Sequence, residues 1–206
     1  MEDKKELLEK LKEEMESDRA LPLYGTANFV FGEGDIDAKV MFIGEGPGFH
    51  EDRLSRPFVG RAGQLLDRLL AMISWPRESV YITNILKRRP PENRDPLPEE
   101  VAAYGPYLKR QIESINPKII AALGRFAMNY FLPEAKISKD HGQAAWAGEY
   151  LILPLYHPAA ALRSTQVLKD LEADFKKLPE ILKNPPPKPP PQPKKEEEAQ
   201  KQESLF

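Results

Sequence analysis

Apolar residues follow two rhythms along the 206-residue chain. Short continuous runs rich in aliphatic side chains occur at Ala38–Gly44 (AKVMFIG), Val80–Ile85 (VYITNI), Lys118–Leu123 (KIIAAL) and Glu149–Tyr156 (EYLILPLY). Their length and their lack of polar alternation predict strands buried on both faces. Between them the period lengthens. AGQLLDRLLAMI (Ala62–Ile73) repeats leucine at i, i+1, i+4 and i+5, which predicts an amphipathic helix. PEEVAAYGPYLKRQIESI (Pro98–Ile115) opens on a proline suited to a first helical turn. A short helix is predicted within GRFAMNYFL, and a final one from about Thr165 to Leu182. This alternation predicts an α/β fold: three α/β/α layers around a central four-stranded parallel sheet. Such sheets bind ligands beyond the carboxyl ends of their strands.

The pattern stops after Leu182. Seven prolines crowd into PPPKPPPQP (Pro185–Pro193), where only a polyproline II conformation is open to the backbone. KKEEEAQKQ follows, without the apolar side chains that would offset ordering entropy, and QESLF restores two large apolar residues. The expected division is a globular domain at 1–182, a disordered linker at 183–201 and a short peptide at 202–206.

Composition narrows the chemistry. With 30 Lys plus Arg against 32 Asp plus Glu, the net charge of −2 excludes a polybasic binder, so any nucleic-acid site must be a local patch. The chain has no cysteine, which excludes disulfides, thiolate zinc sites, cysteine-ligated clusters and a cysteine nucleophile, and fits a reducing compartment. No apolar run approaches the ~18 residues of a membrane span. The segment MEDKKELLEKLKEE is too charged for a signal peptide. The expectation is a cytoplasmic protein with no membrane partner.

Candidate chemistry collects at the strand ends. After the first strand, GEGPG (Gly44–Gly48) carries Glu45 among glycines whose backbone can approach a planar ligand closely. Phe58 follows among Arg53, Arg56 and Arg61, an arrangement suited to stacking a base beside a phosphate. Asn84 closes the second strand, and its carboxamide offers an acceptor and a donor side by side, as a uracil edge requires. Lys87, Arg88, Arg89 and Arg94, interrupted by prolines, form a basic loop. His157 follows the fourth strand and is held extended by Pro158, whereas His50 and His141 lie in polar loops. Each residue also has an ordinary reading: Glu45 as a solvated loop carboxylate, Phe58 as a core anchor, Asn84 as a turn cap and His157 as a histidine satisfied by backbone. No Gly-x-Gly-x-x-Gly with its later acidic partner occurs, and no P-loop.

Together these stretches resemble the uracil-DNA glycosylase superfamily, most closely its thermostable iron–sulfur group, family four. The matching segments are VFGEGDIDAKVMFIGEGPG, EDRLSRPFVGRAGQLLDRLL, YITNILKRRPPENRDPLPEEV, GPYLKRQIESINPKIIAALG and LPLYHPAAALR, over about residues 22–165. The resemblance implies a four-stranded parallel sheet between helices and uracil-containing DNA as substrate. It implies that Glu45 positions or activates the attacking water and that Phe58 stacks on the extruded base. Asn84 would read uracil N3–H and O4, and His157 would donate to O2. Gly44, Gly46 and Gly48 would shape the base pocket. The basic residues Arg61, Lys87, Arg88 and Arg89 are expected to contact DNA, and the resemblance further implies that the HPAAALR segment, with Leu162 and Arg163, presses into the minor groove.

The chain departs from that family where four cysteines would hold a four-iron cluster. Asp18, Leu21, Arg88 and Tyr104 stand at those positions, and none can replace a thiolate. No cofactor and no metal are expected, with packing such as Leu21 against Tyr104 holding the segments. Gly46 replaces a more usual alanine, which is expected to loosen its loop. Ala161 stands where a bulkier wedge is usual, which leaves the groove contact to Leu162. QESLF resembles the peptide by which DNA-repair proteins dock on the bacterial sliding clamp, with Gln202 at the pocket entrance and Leu205 and Phe206 filling it. The expected molecule is a monomeric, nucleoid-associated, monofunctional uracil-DNA glycosylase. The alternatives are a weak or inactive relative that binds uracil-containing DNA, or a nucleotide-binding module on the same fold.

Overall fold

The structure is a computed structural model that describes residues 3–190. Four parallel strands form its centre: β2 (Val40–Gly44), β3 (Tyr81–Asn84), β4 (Ile119–Leu123) and β6 (Tyr150–Leu155). All four lie inside the stretches predicted as strands. Two short strands absent from the sequence reading, β1 (Glu33–Gly34) and β5 (Ala145–Ala147), add antiparallel edges and complete the order β1-β3-β2-β4-β6-β5.

Strand alternation divides the core in two, because successive side chains point to opposite faces. Met41, Ile43, Ile120, Ala122 and Ile152 face one layer, built on α1 (Lys4–Ser17), α4 (Pro98–Ile115) and α5 (Arg125–Phe131). Val40, Phe42, Ile82, Ala121, Leu153 and Leu155 face the other, built on α3 (Arg61–Met72) and α8 (Thr165–Lys183). The expected three layers are therefore present. The residues 4–17, read from sequence only as highly charged, form a helix that buries Leu8, Leu11 and Met15 along one stripe. Shorter helices α2 (Phe49–Leu54), α6 (Ile137–Asp140) and α7 (Pro158–Ala161) occupy loops.

Two details of the fold position the site. Gly44 pairs with Asn84 across β2 and β3, so the loop after β2 starts beside the end of β3. Beyond α8, the proline segment turns back over β5: Trp146 Nε1–H donates to the Pro186 carbonyl at 3.1 Å, and Lys188 pairs with Glu149 at 2.6 Å. Residues 191–206, which contain most of the expected linker and the clamp-like Gln202, Leu205 and Phe206, lie outside the described residues.

Candidate active site

The loops after β2, β3 and β6 enclose a cavity of about 370 Å³. Glu45, Gly46, Gly48, Phe58, Asn84, His157 and Arg163 are on its wall. These residues come from segments far apart along the chain, and their shared position at strand ends is what predicts their proximity. The parallel sheet creates it by bringing strand ends together at one edge.

Gly44 lies beneath the wall and is needed there. A Cβ on it would fall 2.4 Å from Asn84 Oδ1 and 2.6 Å from the Phe58 ring. Its bare α-carbon thus lets the carboxamide and the aromatic ring close over the strand end. Gly46 has no such constraint, since an added Cβ would meet Leu86 at an ordinary 3.5 Å.

His157 is in a defined state. Its Nδ1 accepts from the Ala159 N–H at 3.1 Å, as the N-cap of α7. Burial pushes its pKa down to about 4, against a smaller opposing effect of Glu51. The ring is therefore neutral at pH 7, and with Nδ1 accepting, its proton resides on Nε2. Burial pushes the Glu45 carboxyl the other way, up to about 7, with Asp95 adding to the rise and Arg125 opposing it. An acid and an imidazole with pKa values moved in opposite senses within one cavity make both residues candidates for acid–base chemistry. Asn84 is 2% exposed, and its Oδ1 has no hydrogen-bond partner among the described residues. A buried carbonyl oxygen without a donor costs stability unless a ligand supplies one.

Phe58 is buried at the cavity, with backbone φ of +49° and its ring centroid 5.6 Å from that of His157. Two of the three arginines expected around it are engaged elsewhere. Arg56 pairs with Glu33, and Arg53 lies over Phe49. Arg77 takes over the supporting role by donating to the Pro57 carbonyl while pairing with Glu33 and Asp67.

Two residues expected at a DNA surface are interior, which is a correction. Lys87 is 0% exposed because three acceptors draw it inward: Thr83 Oγ1 at 2.5 Å, the Asn84 carbonyl at 2.8 Å and Gln111 Oε1 at 2.7 Å. Burial pushes its pKa well down. Arg88 is 4% exposed, its guanidinium 5.0 and 5.1 Å from the Tyr24 and Phe29 rings and donating to the Glu16 carbonyl. Neither can reach a phosphate. Arg61, Leu162 and Arg163 remain exposed and Arg89 half-buried, so the basic surface is smaller than expected.

The positions that would carry cluster cysteines do not fit a cluster. Leu21 and Tyr104 are buried in one apolar group, Tyr104 donates to the Pro22 carbonyl, and Asp18 accepts from Tyr107. Arg88 puts a cation where a thiolate would bind iron, its Nε and Nη1 without a hydrogen-bond acceptor among the described residues. Packing alone was expected to hold these segments. Hydrogen bonds and cation–aromatic contacts hold them as well. No group of His, Cys, Asp and Glu among the described residues could hold a metal ion.

Sequence reasoning missed Glu51, whose Oε1 accepts from the Val59 and Gly60 N–H groups at 2.9 and 2.8 Å. It braces the Phe58 loop from the cavity wall. The eight- and nine-residue separations match no local capping pattern, so no spacing could have signalled it. Pro90 and Asn93, also on the wall, come from a loop read only as basic.

Residues 31–183 match the uracil DNA glycosylase superfamily. The chain is 44% identical over 186 residues to the type-4 uracil-DNA glycosylase of Archaeoglobus fulgidus, an alignment spanning 85% of this chain and 94% of that protein. It is 45% identical over 179 residues to the type-4 enzyme of Thermotoga maritima, spanning 82% and 93%. A type-5 uracil-DNA glycosylase of Pyrobaculum aerophilum is 30% identical over 144 residues.

Proposed function

The chain belongs to the uracil DNA glycosylase superfamily, and from that premise we propose that it is a monofunctional glycosylase that hydrolyses the N-glycosidic bond of uracil in DNA. The observation that carries this reading is the meeting of a neutral His157, a partnerless Asn84 oxygen and the Glu45 carboxyl in one cavity. A base inside a duplex cannot be reached by such a cavity, so the nucleotide must be extruded first, at least cost where pairing is already poor.

Asn84 then reads the base. Its oxygen accepts from N3–H and its nitrogen donates to O4. Cytosine presents the reverse pattern and leaves buried groups unpaired, a mismatch that discriminates by about 10⁴–10⁵ in sites of this type. Phe58 packs against the plane of the base. As the glycosidic bond lengthens, negative charge grows on O2 and positive charge on the sugar. The Nε2–H of His157 donates to O2, and the Glu45 carboxylate faces the sugar and orients the water that attacks it. No step needs a metal, and the protein works without an iron–sulfur cluster. Iron or acid-labile sulfide found in stoichiometric amount in purified protein would overturn that part of the proposal.

The test is a uracil-bearing oligonucleotide treated with alkali after incubation. Wild type yields cleaved strand only after alkali, and Glu45→Gln yields little. His157→Ala loses about 10²–10³ in rate, the usual cost of removing one donor to a developing anion. Absence of alkali-labile product with wild type overturns the assignment. Docking of Gln202, Leu205 and Phe206 on a sliding clamp is supported by the QESLF pattern.

A further inference from the structure

The cavity wall continues outward into a feature that uracil recognition does not use. Gly48 is on the wall and Phe49 follows it as the first residue of α2, with 49% of its surface exposed. Two guanidinium groups lie against its ring, Arg53 at 5.7 Å and Arg89 at 5.3 Å. They arrive from separate segments. Arg53 is one turn along α2, whereas Arg89 precedes Pro90, and its Nε donates to Oδ1 of Asn93 at 2.7 Å. Pro90 and Asn93 are both wall residues. Among the described residues, neither arginine forms an ion pair, whereas Arg56, Arg77, Arg94 and Arg110 each hold a carboxylate.

A lone exposed aromatic needs no explanation. An exposed aromatic gathered with two cations that lack carboxylate partners, at the rim of the cavity, has the composition of a nucleotide site. The ring and guanidinium planes can stack on a base of any identity, and the charges match phosphates. We propose that Phe49, Arg53 and Arg89 form a platform for the nucleotide next to the one held in the cavity, with its base on the exposed part of the ring and its phosphates at the two guanidiniums. The inference rests on the reading that the cavity takes a base from DNA. A base on this platform has left its own neighbour, so the platform favours single strands over intact duplex.

The test is fluorescence anisotropy with a labelled single-stranded oligonucleotide carrying one central uracil, bound to the full chain in a Glu45→Gln background that preserves the substrate. Phe49→Ala is expected to weaken binding by about 5- to 10-fold, the low end for a stacked base because the ring is half-exposed. Phe49→Trp is expected to restore it. Replacing one flanking nucleotide by an abasic analogue should weaken Phe49-containing protein by a similar factor and leave Phe49→Ala without further loss. Arg89→Ala is expected to lower the slope of log affinity against log salt by about one. An unchanged affinity for Phe49→Ala overturns the proposal, as does a loss that persists when both flanking nucleotides lack bases. The alkali assay separates the two readings. Uracil release without any Phe49 effect removes the platform alone. Base-dependent binding by a wild type that releases no uracil removes the glycosylase reading alone.

Discussion

Gly44 and Gly46 lie two residues apart in one loop and are under opposite constraints. Gly44→Ala drives a methyl group into Asn84 and Phe58, and we expect a loss of about 1–3 kcal/mol in stability, as for other overpacked sites. Activity in the uracil-release assay should fall with it. Gly46→Ala meets only ordinary contact, so its rate should stay within about threefold of wild type. The alanine methyl would add contact with Leu86 that the glycine lacks. Charge follows the same local logic. The Glu45 carboxyl, raised to about 7 by burial and Asp95, must be ionised to face a cationic sugar, so kcat/KM should climb with pH up to about 7 and level off above it. His157, held near 4, stays neutral over that range and adds no second limb. Asp95→Asn should move the limb to lower pH; a profile flat from pH 5 to 8 would contradict these assignments. Glu45, Asn84 and His157 were legible because each sits at or just beyond a strand end. Lys87 and Arg88 were not. The partners that bury them, Gln111, Glu16, Tyr24 and Phe29, are distant in sequence, and a run of basic residues looks the same whether its side chains point in or out.

The elements divide by how strongly their pattern is repeated. β2, β3, β4 and β6 are continuous apolar runs and were readable to within two residues. β1 and β5 span two and three residues and exist through pairing with β3 and β6, which no local pattern records. The stripe of α1 was present in Leu8, Leu11 and Met15 but is surrounded by charge. Where β3 meets α4, the joint is polar: Lys87 gathers Thr83, Asn84 and Gln111, and Gln111 in turn reaches the Phe31 carbonyl and the Tyr81 hydroxyl. Lys87→Met removes the shared donor and leaves acceptors buried without partners, at about 1–3 kcal/mol each. For a domain of this size each kcal/mol is about 2–4 °C, so thermal unfolding should drop by at least ~5 °C. A Tm equal to wild type would mean that the lysine contributes no net stabilisation to the joint.

At the scale of the molecule, the layer architecture followed from alternation of strand and helix, and the cavity followed from the architecture. What the sequence did not contain was the course of the chain after α8. The helix ends at Lys183, close to the predicted boundary, yet the prolines that follow remain attached through Trp146 and Glu149. Deleting residues 202–206 should abolish sliding-clamp binding, measured by co-elution with purified clamp, and leave uracil release from short oligonucleotides unchanged. Loss of both activities would show that the peptide is not a separable tether. The attachment at Trp146 bears on how such a tether would respond to force. Tension on the chain beyond residue 190 would first load the Lys188–Glu149 pair, then the Pro186–Trp146 bond, and only afterwards the end of α8, which the fully buried Leu178 anchors more than one turn further in. The prolines thus act as a cleat: a jerk on the line gives way at two replaceable surface contacts before it can start to unravel the core.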